Sequence, residues 1–167
     1  GPTAAFSFIN LISDQMSGIK NIIVLGPSHH KYFKGCKISQ CSALETPFGN
    51  LDVNLDLAKE LLNYKGFSTL DKSEDENEHS LEMQFPYIYL TVYEYNFKPK
   101  VLPIMVGEID NESALTIGKT LSSLIERDDT IFVISSDFCH WGSNFEYQPF
   151  SGNGEIHEYI SRLDKEG

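Results

Sequence analysis

The chain is short of positive charge: its 167 residues carry 13 Lys and Arg against 24 Asp and Glu, a formal net charge of -11. Nucleic-acid binding draws on the counterions that clustered cations release, so no nucleic-acid partner is expected. Cysteine is equally scarce. Cys36, Cys41 and Cys139 form no Cys-x-x-Cys pair and leave an odd number, which argues against a disulfide framework or a thiolate zinc site and fits reduced thiols. Neither the nucleophile elbow Gly-x-Ser-x-Gly nor a phosphate-binding loop occurs, so those two routes to hydrolase or nucleotide chemistry are closed. Apolar runs stop far short of the roughly 20 residues that cross a bilayer. No membrane insertion is expected, and the expected location is cytoplasmic.

What is present suffices for one packed domain. Hydrophobic residues make up 41% of the chain and aromatics 12%, enough for a core at this length. Two runs, Asn21-Ile22-Ile23-Val24-Leu25 and Thr130-Ile131-Phe132-Val133-Ile134, are β-branched and apolar throughout, as in strands buried on both faces of a parallel sheet. Val101 to Val106 reads as a third. Cys36 to Leu44 alternates loosely and ends in the turn cluster Thr46-Pro47-Phe48-Gly49-Asn50, so a strand or hairpin arm is expected there. Helical spacing is present at Thr3 to Met16, with Gly18 as stop. A second helix starts at Asn54 or Asp56 and is closed by Gly66, and others cover Ser113 to Glu126 and Gly154 to Lys165. Between them, Ser73 to Glu78 reads as an acidic loop, and His79 to Tyr95 as a turn followed by one helix beginning near Pro86. Helices alternating with apolar strands predict an α/β fold with a mostly parallel sheet covered by helices on both faces.

The chemistry-bearing residues follow two of these strands. Leu25-Gly26-Pro27-Ser28-His29-His30 succeeds the first, and Ser135-Ser136-Asp137-Phe138-Cys139-His140-Trp141 succeeds the second. Ligands of open α/β sheets sit in the crevice beyond the carboxyl ends of the strands, so His29, Asp137 and His140 are expected to line one crevice if the strands are neighbours. Imidazole and carboxylate suit iron, copper or zinc. His30, adjacent to His29, points elsewhere and is read as a supporting residue. Asp137, three residues before His140, either orients that imidazole or caps the loop after its strand. In Glu78-His79-Ser80-Leu81-Glu82, His79 and Glu82 share a face if the segment is helical. His79 is then an acid/base group for the same crevice, or the segment is simply a helix start whose acidic residues suit the dipole. Adjacent residues rarely achieve hydrogen-bond geometry with each other, which disfavours a Cys139–His140 or Ser28–His29 nucleophile.

Four ordered motifs resemble the Memo-like family, mediators of ErbB-driven cell motility. They are Leu-Gly-Pro-Ser-His-His at 25–30, Glu-His-Ser-Leu-Glu-Met-Gln-Phe-Pro-Tyr at 78–87, Leu-Pro-Ile-Met-Val-Gly at 102–107 and Ser-Ser-Asp-Phe-Cys-His-Trp-Gly at 135–142. The resemblance implies a fold similar to the extradiol dioxygenases that use non-haem iron. It makes His29 a metal ligand, with His140 as acid/base histidine and Asp137 opposite the metal. The family's Ala-Pro-His motif and its downstream ligand have no counterpart here, so the expectation is a single domain over 1–167 cut at both ends. Iron or copper would then belong to the complete protein, with none held tightly by this chain. Two functions follow as alternatives: a metal-dependent redox enzyme acting on a small-molecule substrate, and a signalling adaptor that receives a peptide in the same crevice. Phosphopeptide capture calls for an arginine cluster, and the chain has only Arg127 and Arg162.

Overall fold

The structure is a computed structural model and describes residues 2–9, 18–94, 98–149 and 154–166. The chain divides into two compact units, residues 1–135 and 136–167. In the first, helix α1 (Pro2–Ile9) precedes strand β1 (Asn21–Pro27) and β2 (Cys36–Ser39), then the hairpin β3 (Ala43–Thr46) and β4 (Gly49–Asp52). Next come α2 (Leu55–Leu61), β5 (Phe67–Leu70), the short turns of helix α3 (Lys72–Asp75) and α4 (His79–Glu82), and α5 (Phe85–Glu94). The unit closes with β6 (Lys100–Val106), α6 (Asn111–Ile125) and β7 (Thr130–Ile134). The second unit holds a 3-10 turn, Ser143–Phe145, and α7 (Ile156–Glu166).

Five strands form one sheet in the order β5-β2-β6-β1-β7. Its β1–β6, β1–β7 and β2–β5 pairs are parallel and β2–β6 is antiparallel, so the sheet is mixed and mostly parallel. Period-two alternation divides the core between its faces. Ile22, Val24, Val101 and Met105 pack with Leu81, Phe85, Ile88 and the β3–β4 hairpin residues Leu44 and Leu51. Ile23, Ile38, Leu102 and Ile104 pack with Leu57 and Leu61 of α2 and Ile117, Leu121 and Leu124 of α6. Pro103 is tolerated inside the central strand β6 because the β2 ladder stops at Ile38↔Ile104. Residues 101 and 103 face the same flank, where the Val101 carbonyl accepts from Asn54 N–H, and Pro103 lies just past the last β2 pair, where no ladder bond needs its missing N–H.

Several sequence expectations resolve against these elements. Asn54 is the N-cap of α2, its side chain accepting from Leu57 N–H, and Asp110 caps α6 through Ser113 N–H. The stretch expected over 79–95 is, within the described residues, a helical turn followed by a helix from Phe85 to Glu94, as its proline implied. The acidic loop expected at 73–78 instead begins with a helical turn, α3, because Glu74 reaches Lys37 at 2.6 Å and Lys31 at 3.3 Å. Strand β5 was not anticipated: only Phe67 and Leu70 of its four residues are buried, too few to register as a pattern. The expected helix over Thr3 to Met16 is seen to Ile9, and the rest of it lies outside the described residues.

Candidate functional site

The site in the first unit is built at the carboxyl end of β1. Gly26 lets α4 approach, since a Cβ there would lie 2.8 Å from Ser80 Oγ and 2.9 Å from Leu81 Cδ2. Ser80 Oγ uses that closeness to donate to the Pro27 carbonyl at 2.7 Å. The docking sets Glu78, the residue before α4, beneath the turn that carries His29. One carboxylate oxygen of Glu78, Oε2, accepts from His29 N–H at 2.6 Å. The other, Oε1, pairs with His29 Nδ1 at 2.9 Å and accepts from the N–H groups of His79 and Ser80 at 3.0 Å each.

Glu78 is 2% exposed. Burial alone raises a carboxyl pKa, but here the hydrogen bonds from His29 and Ser80 prevail and hold it at about 2. The carboxylate therefore stays ionised in a buried place because N–H groups replace its water. His79 stacks on His29 with ring centroids 4.6 Å apart and planes 22° from parallel, and His30 meets the His79 ring edge-on at 5.7 Å. His29, Glu78 and His79 each offer a ligand-type atom, all within 4.8 Å of one another. Gln84 Nε2 donates to Ser135 Oγ at 3.3 Å, and Ser135 N–H donates to the Leu25 carbonyl at 2.8 Å, which ties the residue after β7 to β1 and to the turn before α5.

The second unit carries the other two sequence-selected residues. His140 Nε2 lies 3.5 Å from Asp137 Oδ2, and both side chains are half exposed. The His140 ring meets Phe145 edge-on at 5.0 Å. Cys139 N–H donates to Asp164 Oδ1 of α7 at 2.9 Å, so the thiol-bearing residue is fixed through its backbone. Trp141 packs edge-on against Tyr147 and Tyr159. Asp137, Phe138, His140, Phe145 and Leu163 line a cavity of about 730 Å³.

His29 and His79 thus meet within the first unit, and Asp137 and His140 within the second. Glu78 is the residue that sequence reasoning passed over as a helix-start carboxylate. The glycine three residues before His29, inside a buried strand, was the available sign that another element comes close there.

The family model for Memo-like protein matches residues 1–167. The chain belongs to the Memo-like family. It is 36% identical over 169 residues to the "Protein memo-1 homolog" of Caenorhabditis elegans, covering 100% of this chain and 47% of that protein. It is 41% identical over 166 residues to the "MEMO1 family protein MHO1" of Saccharomyces cerevisiae, covering 93% and 48%. Human "Protein MEMO1" is 34% identical over 149 residues, covering 89% and 50%. The chain spans about half the length of these curated relatives. Among the described residues, no helix is long and apolar enough to cross a membrane.

Proposed function

We propose that this Memo-like chain contributes the histidine half of a metal-dependent redox centre, similar to that of the non-haem iron dioxygenases, which acts on a small-molecule substrate. The observation that carries this reading is the gathering of His29, His79 and the ionised Glu78 within 4.8 Å at the end of β1, a donor set matched to iron or copper. His29 would hold the metal, and a bound iron or copper ion would supply Lewis acidity and one-electron chemistry there. The residues do the rest. His140 moves a proton at Nε2, and Asp137 beside it orients the imidazole. Strand β1 pairs with β7 as parallel neighbours, Leu25 opposite Ile134. The loops carrying His29 and Asp137 follow these strands.

The adaptor reading finds less support. Arg127 is paired with Glu60 at 3.3 Å, and Arg162 lies over the Tyr159 ring and near Glu166, so both guanidinium groups already have partners and neither waits for a phosphate. Metal titration tests the enzymatic reading. Added Cu2+ or Fe2+ alone should bind weakly to the wild-type chain, and His29→Ala should lower that affinity at least tenfold. Equal binding by both proteins refutes His29 as a ligand. With one histidine as the family-matched ligand, the chain is also expected to keep less than stoichiometric metal after dialysis against a mild chelator, as elemental analysis would show. Stoichiometric metal that vanishes in His29→Ala would mean that these 167 residues suffice for a complete site.

A further inference from the structure

We infer that the cavity of the second unit receives a small organic cation, an ammonium group carried on an apolar or aromatic body. This names the substrate class for the cavity of His140, and it rests on the reading of that cavity as the substrate's place. Three aromatic residues, Phe138, Phe145 and Tyr147, line its volume of about 730 Å³, and Asp137 and Asp164 are its acidic members. No Lys or Arg is among its described lining residues. The charge around it has the same sign, since residues 136–167 hold Asp137, Glu146, Glu155, Glu158, Asp164 and Glu166 against Arg162 and Lys165. Arg162 is already engaged, 5.0 Å over the Tyr159 ring and 3.9 Å from Glu166.

Each part of the wall favours a cation. The face of an aromatic ring is its negative side, so a positive group over it is attracted, whereas a neutral group gains only contact area. Phe138, Phe145 and Tyr147 are 64%, 56% and 43% exposed, which leaves their rings open to a ligand, and apolar surface gathered around a hollow marks a binding site. The loop that carries two of them is fixed. Gly142 and Tyr147 exchange backbone hydrogen bonds at 3.0 and 3.3 Å, and between Phe145 and Tyr147 the chain turns through Glu146 at φ 50°, the one left-handed non-glycine residue among those described. Asp164 is fixed as well, because its Oδ1 accepts from Cys139 N–H at 2.9 Å. Negative charge therefore stands in the wall without the ordering that binding would otherwise cost. An anion would meet two acidic side chains with no Lys or Arg to offset them, and a neutral molecule would cover those side chains without replacing their water. The volume is that of a small-ligand cavity, which favours a free molecule over one side chain of a peptide.

A charge series on one ring tests the inference. The probes are 2-phenylethylammonium, 2-phenylethanol and phenylacetate, each titrated into the 15N-labelled 167-residue chain at low salt and about pH 8, above the ordinary imidazole range. Backbone 1H–15N shifts locate the site and give Kd. The ammonium is expected to bind at least tenfold tighter than the alcohol, with phenylacetate weakest, and to move signals of residues 136–147 and 163–164. Asp164→Asn keeps an acceptor for Cys139 N–H and removes the charge, so it should weaken the ammonium at least threefold and leave the alcohol unchanged. Equal binding of ammonium and alcohol, ammonium shifts elsewhere on the chain, or no ammonium binding up to about 20 mM overturns the inference. Tenfold tighter binding by the peptide Gly-Gly-Lys-Gly-Gly than by the free amine overturns the choice of a small molecule. Should Asp164→Asn fail to fold, the wild-type series decides alone. Metal titration of wild type and His29→Ala is independent of these probes: its failure overturns the metal reading while the ammonium still binds, and failure of the charge series leaves the metal reading standing.

Discussion

Replacing Glu78 by Gln is expected to change how stability depends on pH, and the structure sets the size of the change. The folded-state pKa of Glu78 lies at about 2, against an ordinary value of 4.5. At about 1.4 kcal/mol per unit, that depression corresponds to roughly 3 kcal/mol of stability. Because the folded value is the lower one, the contribution is fully present above the unfolded pKa and is lost as pH falls through the folded one, so the window runs from about pH 4.5 down to about 2. Glu74, Asp110 and Asp129 are also held below the usual carboxylate range, by hydrogen bonds to Lys37, Ser113 and Lys20 respectively. They lose stability in the same acid range in both proteins and cancel in the difference. Urea unfolding of wild type and Glu78→Gln at closely spaced pH values gives the test. At neutral pH the variant should be less stable by roughly 3 kcal/mol, and the two curves should converge as pH approaches 2. Curves that stay parallel from pH 5 to pH 2 would show that Glu78 titrates as an ordinary carboxylate in solution, and the grip on His29 would lose its energetic basis.

Two further outcomes follow from the same contacts. Gly26→Ala places a methyl group 2.8 Å from Ser80 Oγ and 2.9 Å from Leu81 Cδ2, and should cost about 1–3 kcal/mol through forced separation of α4 from β1; a loss under about 0.5 kcal/mol in urea unfolding would show that α4 gives way freely. Cys36 is 1% exposed and burial pushes its thiol up to about 11, so native-state labelling with a thiol reagent, read by mass spectrometry, should modify Cys41 and Cys139 well before Cys36, and early labelling of Cys36 would contradict its burial.

The fold was legible where apolar side chains run unbroken along an element. Ile22 to Leu25 and Ile131 to Ile134 are such runs, with β1 mostly buried and β7 burying Val133 while Ile134 stays exposed, and such strands announce themselves whatever their neighbours. β5 did not, because an edge strand of four residues needs only its two ends buried. The reversed direction of β2 was equally hidden. Direction is fixed by which strand a segment pairs with, here β6 on one side and β5 on the other, and neither pairing leaves a trace in Cys-Lys-Ile-Ser. The helical turn α3 depends on Lys31 and Lys37, more than thirty residues away, gripping Glu74.

The candidate site divides along the same line. His29 was legible because a histidine just past a buried strand has few ordinary reasons to be there. Glu78 was not, since a carboxylate before a helical turn already has a sufficient local explanation in the two N–H groups it caps. That explanation is correct and incomplete. Capping His79 and Ser80 needs one oxygen, and Asp, Asn, Ser or Thr would serve with a shorter arm. Glutamate adds a methylene, and with it the reach to place the second oxygen on His29 N–H while the first also meets Nδ1. The unusual length of the cap is thus the physical trace of its second task, and that trace becomes readable only once Gly26 and Ser80 have brought α4 against the end of β1.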